Sequence, residues 1–227
     1  MLLAEDLLLL LTDDTTGRAV ADSTRLGLGL AGGVLLELAE RGRVDVVGPG
    51  EPVRPGRLVV RDGSPTGDAV LDEALRRLAA RRPGKPQDVL PGLAKQLREA
   101  LLARLVERGI LRAEERRVLG VFPTRSWPAV DSAHEDAVRR GLRDVLVIGR
   151  IPDPREAALV SLLHAVGQVP KVLAGPGTDK GELKRRAKAI AEGEFAGAAV
   201  RKAVEAVSAA TMAAITAATA ATAASSG

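Results

Sequence analysis

Only three of the 227 side chains are aromatic: Phe122, Trp127 and Phe195. A core of ordinary size must therefore be built from Leu, Val and Ala recurring at helical spacing. Hydrophobic residues make up 46% of the chain, enough for one well-cored domain or two small ones and too many for general disorder. The absence of cysteine excludes disulfides and thiolate metal sites and fits a reducing compartment. Usage rich in Ala, Arg, Gly and Leu and poor in Lys points to a high-GC bacterial genome.

The apolar run at 2–12 reads as a short helix closed by the turn formers at 13–17. Ser23 can cap a second helix to about Arg41, with Gly42 as its stop. Gly27, Gly29, Gly32 and Gly33 each lower the helix propensity of that segment, which predicts close packing against a neighbour. Short strands are expected at 44–47 and 58–61. A helix then runs from Asp68 to about Arg82, with Val70, Leu71, Leu75, Leu78 and Ala79 as its buried stripe.

The stretch Arg82-Pro-Gly-Lys-Pro is a linker. A strong helix is expected from about Leu93 to Arg108. A hairpin follows, with strands at 110–112 and 117–122 around 113–116, and Arg116 and Arg117 are expected at or next to its tip. Further helices are expected at 131–148, 154–167 and 179–208. The Ala/Thr/Ser-rich stretch 209–227 is expected to fray or be disordered. The fold class is mostly α: a single domain over 1–208 with a few short strands.

The formal charge of +4 and the pI of 9.8 reflect an arginine excess, which favours an anionic partner but equally describes a solvated basic surface. Met1-Leu-Leu-Ala-Glu-Asp lacks the basic start of a secretory signal, and Leu7 to Leu11 is too short to cross a bilayer. The uncharged stretch after Ala206 is too weakly apolar for a spanning helix. Gly27-Leu-Gly-Leu-Ala-Gly matches the dinucleotide fingerprint as a string but lacks the strand that must precede it. Gly175-Pro-Gly-Thr-Asp-Lys-Gly lacks the Walker spacing. His134 and His164 stand without spaced partners, so no metal site, cofactor or catalytic set emerges, and the chain reads as a non-enzyme.

Four stretches in combination carry a family resemblance. They are Glu5-Asp-Leu-Leu-Leu-Leu-Leu-Thr-Asp-Asp, Glu37-Leu-Ala-Glu-Arg-Gly-Arg-Val, Pro65-Thr-Gly-Asp-Ala-Val-Leu-Asp-Glu-Ala-Leu and Leu105-Val-Glu-Arg-Gly-Ile-Leu. Over most of 1–205 the chain resembles the Golgi phosphoprotein 3 family in its actinobacterial form. The resemblance implies a helical bundle ringed by amphipathic helices with a protruding β-hairpin. It further implies a peripheral membrane protein that binds phosphatidylinositol 4-phosphate, or another anionic lipid, in a basic pocket. The eukaryotic pocket's paired basic residues map to Lys95 and Arg98, which would share one face of the 93–108 helix. Its Trp and Arg map to Asp22 and Ala31, leaving Arg25 as the substitute cation. Val118, Leu119, Val121 and Phe122 would form the membrane-inserting hairpin, with Trp127 near the interface; self-association through the same ribbon is the competing use. The expected place is the cytoplasm, peripheral at the inner face of the membrane.

Two other classes stay open. A winged-helix nucleic-acid binder would turn Arg98, Arg104 and Arg108 toward phosphate, although no nucleic acid is the expected partner. A protein-interaction adaptor would bind neither lipid nor DNA. Lys180, Lys184 and Lys188 share one helical face, balanced by Glu182, Glu192 and Glu194 and read as solvated.

Overall fold

In the computed structural model, which describes residues 1–118, 122–193 and 198–224, the glycine-rich helix α2 (Ser23–Glu40) is the axis of a helical bundle. Asp22, one residue before the expected cap, accepts the Arg25 N–H at 2.9 Å and starts this helix. Around it pack α1 (Leu3–Leu10), α4 (Pro86–Ala94), α7 (Pro154–Ala165) and α10 (Ala198–Ala224). The outer helices are α3 (Ala69–Ala79), α5 (Leu97–Glu107), α6 (Ala133–Arg143), α8 (Val169–Leu173) and α9 (Lys180–Ala191). The bundle is mostly α, with two small antiparallel ribbons, β1 (Val44–Val46) with β2 (Leu58–Val60) and β3 (Glu114–Val118) with β4 (Phe122–Ser126).

The glycines of α2 are where the packing is tightest. A Cβ at Gly29 would lie 2.6 Å from Val166 Cγ1, and one at Gly32 would lie 2.8 Å from Thr211 Oγ1 and 2.9 Å from Leu162 Cδ2. At Gly33 it would meet the backbone of Ala4 at 3.1 Å. The expected close packing thus holds at three of the four positions. At Gly27 the nearest atom is Ala94 Cβ at 3.5 Å, an ordinary contact.

Every residue of α1 is buried, including Glu5 and Asp6. Buried carboxylates persist only when paired. Asp6 accepts Arg155 Nη2 at 2.6 Å and lies 2.8 Å from His134 Nε2, while Glu5 lies 3.3 Å from Arg104 Nε and 3.4 Å from Arg108 Nη1. These pairs bolt α1 to α5, α6 and α7. Arg155 Nη2 also donates to the Met1 carbonyl at 2.8 Å, and Glu37 accepts the Leu3 N–H at 2.9 Å.

Several boundaries differ from expectation. The helix expected at 93–108 is two helices. Pro86 sits in the first turn of α4, where a missing N–H is harmless, and the chain breaks at Lys95 (φ −62°, ψ 124°) and Gln96 (φ 61°, left-handed) before α5. The hairpin lies further along the chain: β3 and β4 pair from Glu114↔Ser126 to Val118↔Phe122, so Arg116 and Arg117 belong to a strand rather than a tip. Leu119 and Val121 lie outside the described residues.

The helix expected at 131–148 ends in a π-helical turn (Asp144–Ile148) closed by Gly149 at φ 92°. The segment 179–208 divides near Gly193, φ 83°, and α10 continues to Ala224 through the stretch expected to fray. Val204, Val207, Ala210, Ala214 and Ile215 of this helix are buried in the bundle. Contrary to the expectation that this stretch is too weakly apolar, Val204–Ala224 is by length and composition alone enough to cross a membrane, with a mean hydropathy of 1.4 and 33% of it buried. Its buried residues serve the core.

Two consequences are measurable by urea denaturation. Gly27→Ala, where a methyl has room, raises stability by roughly 0.5–1 kcal/mol, whereas Gly32→Val lowers it by about 1–3 kcal/mol through overpacking. Arg155→Met leaves the fully buried Asp6 with His134 alone and lowers stability by roughly 3–5 kcal/mol.

Candidate anion-binding cleft

The amphipathic helix α3 buries Val70, Leu71, Ala74, Leu75 and Leu78, which leaves Arg76 and Arg77 to emerge near its C-terminal end, with Arg81 just beyond it. The chain reverses through Pro83 and Gly84 and runs back along α4. Arg77 joins the two helices: its Nε donates to Glu73 at 2.7 Å, and its Nη1 donates to the carbonyls of Gly92 at 3.3 Å and Lys95 at 2.8 Å. The corner between α4 and α5 is therefore held by a guanidinium, and the exposed Lys95 side chain stands on it.

Arg76, Arg77, Arg81 and Lys95 together line a cleft of about 710 Å³, floored by Leu78, Val89 and Leu93. None of its described lining residues is a carboxylate. Glu73 stands beside it. Hydrogen bonds from Arg76 and then Arg77 hold the Glu73 carboxyl down at about 2, so it stays ionised and keeps both arginines in place. Four cations less the one Glu73 charge leave the corner with three positive charges.

Of the three expected headgroup residues, only Lys95 is in this cleft. Lys95 and Arg98 do not share a helical face, because Lys95 is extended and Gln96 left-handed before α5 begins. Arg98 lies instead over the Trp127 ring, 4.8 Å from its centroid, a cation–π contact. Arg25 Nε is 3.2 Å from Asp22 Oδ2, and Arg25 lies outside the cleft lining. Of the altered pocket positions, Asp22 caps α2 and Ala31 is fully buried.

Sequence reading overlooked Arg76, Arg77 and Arg81. Their signal was the two arginine pairs 76–77 and 81–82 at the end of an amphipathic helix, but their link to Lys95 is tertiary. The arginines assigned to a nucleic-acid face have partners within the protein: Arg104 with Asp68 at 2.8 Å and Glu5, Arg108 with Glu5, and Arg98 with Trp127. On α9, Arg185 and Arg186 bond Glu182, and Lys188 lies 3.6 Å from Glu192.

The base of the β3–β4 hairpin is tied to the turn after α1. The Trp127 N–H donates to the Gly17 carbonyl and the Ala129 N–H to the Asp14 carbonyl, both at 3.1 Å. Beneath this turn, buried Glu135 faces Asp14 and accepts a hydrogen bond from Arg139. Burial first, then the Asp14 charge, push the Glu135 carboxyl up to about 7. Among the described residues no group of three or more His, Cys, Asp or Glu could hold a metal ion. His134 is paired with Asp6, and burial lowers the pKa of His164 below the usual imidazole value.

A mostly helical module with a hairpin and an exposed cationic cleft is what the geometry defines. A model of the Golgi phosphoprotein 3 (GPP34) family matches residues 3–207, so the chain belongs to that family. Vacuolar protein sorting-associated protein 74 of Eremothecium gossypii is 33% identical over 162 residues, which cover 64% of this chain and 49% of that protein. The chain thus spans about half the length of that curated relative.

Glu135 makes stability depend on pH. Its ordinary value of 4.5 is raised to about 7, so between these values the folded protein keeps a proton the unfolded chain has released. Its contribution is complete below about 4.5 and is lost as the pH rises through about 7. In denaturation at about pH 5 and about pH 8, the wild type loses stability at the higher value, and Glu135→Gln loses much less.

Proposed function

We propose that this protein is a peripheral membrane protein that binds an anionic lipid headgroup, of the phosphatidylinositol 4-phosphate type, at the Lys95 corner. The observation that carries the reading is the cleft lined by Arg76, Arg77, Arg81 and Lys95 without a carboxylate among its described lining residues. Guanidinium forks suit phosphate oxygens, and Lys95 adds a mobile point charge. Membership of a family whose members bind phosphatidylinositol 4-phosphate supports the same reading. Arg98, held over Trp127 three residues after Lys95, adds positive charge at the start of α5. Val118, Leu119, Val121 and Phe122 of the hairpin enter the outer part of the bilayer, at the inner face of a bacterial membrane. No chemistry on the lipid is part of this role.

The test is co-sedimentation with vesicles of phosphatidylcholine alone or with phosphatidylinositol, its 4-phosphate or phosphatidylglycerol at equal charge. Binding is expected to require the anionic lipid and to weaken steeply between 0.1 M and 1 M salt, as the screening length shrinks from roughly 10 Å to 3 Å. The double variant Arg81→Ala/Lys95→Ala should bind roughly thirtyfold less, at about 1 kcal/mol per basic residue. Unchanged binding by that variant sinks the cleft as the site. Lack of binding to every vesicle favours an adaptor, and tight duplex DNA binding in a gel shift would favour the nucleic-acid reading.

A further inference from the structure

A second hollow meets the cationic cleft at the same corner. It measures about 410 Å³ and shares Arg77, Leu93, Lys95 and Gln96 with the first. Its other walls are apolar: Val34 from the axis helix, Val70 and Ala74 from α3, and Leu97 and Ala100 from α5. Its two further charged residues are already engaged, Glu73 with Arg76 and Arg77, and Arg104 with Asp68 at 2.8 and 2.9 Å. Both hollows fall within the roughly 300–1,000 Å³ typical of small-molecule sites. A cationic compartment opening onto an apolar one is complementary to one kind of ligand, an anionic head carrying a hydrocarbon tail.

We infer that the Lys95 corner takes a single amphiphile, an alkyl phosphomonoester, with its phosphate among Arg76, Arg81 and Lys95 and its chain laid between α3 and α5. This rests on the lipid-headgroup reading for the phosphate but adds that the chain leaves the bilayer or the water to lie against the protein. Arg77 occupies the boundary. Its guanidinium is committed to Glu73 and to the Gly92 and Lys95 carbonyls, so it separates the two compartments without needing the ligand.

Calorimetric titration of the full chain with inorganic phosphate and with ethyl, butyl, hexyl and octyl phosphate, all as dissolved monomers, tests this. Affinity should rise with chain length, by up to roughly fourfold for each methylene buried, and level off when the apolar hollow is full. Ala100 is exposed and lines the hollow, so Ala100→Trp should flatten the series toward inorganic phosphate while the fold, followed by circular dichroism, stays intact. Arg81→Ala should instead lower affinity at every chain length alike. Equal affinity for phosphate and octyl phosphate would overturn the chain site and leave the headgroup site standing. A length dependence untouched by Ala100→Trp would overturn its location between α3 and α5. Absence of binding by any of these ligands, with no selective binding to anionic vesicles, would overturn the headgroup reading together with it.

Discussion

The arrangement of this bundle depends on how closely α2 lets its neighbours approach. Helices meeting through leucines stand roughly 8–10 Å apart, and only small residues allow less. Without side chains at Gly29, Gly32 and Gly33, α2 is touched directly by α7, by α10 and by the backbone of α1. That approach encloses α1 completely. An enclosed helix bearing Glu5 and Asp6 then requires cations, and Arg104, Arg108, Arg155 and His134 bring α5, α6 and α7 to it. The orientation of α5 is fixed by the pairing of Arg104 and Arg108 with buried Glu5, and the start of α5 determines where Lys95 stands.

The same logic repeats at the surface on a smaller scale. Glu73 is one carboxylate facing two arginines, and it restrains both. Arg77 uses its remaining donors on two carbonyls freed by the break between α4 and α5, where Gln96 adopts a left-handed conformation rare for a side-chain-bearing residue. A broken helix exposes backbone acceptors, and the arginine that satisfies them also lines the cleft. The break therefore both interrupts the α4–α5 helix and positions Lys95.

Helical periodicity made much of the bundle legible. The leucines of α1 and the apolar stripe of α3 required helices, and the close packing inferred from the glycines of α2 is present at three of four. What was not legible arose where local signals competed. Pro86 and Pro91 hid α4, because a proline reads as a breaker, although Pro86 occupies the first turn and Pro91 is accommodated inside the helix. The hairpin register could not be read because Arg116 and Arg117 resemble turn residues when their pairing with Thr124 and Pro123 is unseen. Lys95 was found through the family pattern, whereas Arg76 and Arg81 join it only when the chain folds back through Pro83.

Family membership and site composition are separate facts here, and the packing explains why. Ala31, the position onto which the family resemblance maps a pocket cation, is fully buried next to the glycines that draw α7 and α10 inward. A long basic side chain there would force those helices apart, so the tight axis of this chain and a cation at position 31 exclude each other. Asp22 is likewise committed, as the cap of the same helix. Positive charge near Lys95 must then come from outside the axis helix. α3 and the turn after it supply it, through arginines whose apolar neighbours already anchor that helix to the core. The cleft is the arrangement left open once the axis is packed this closely.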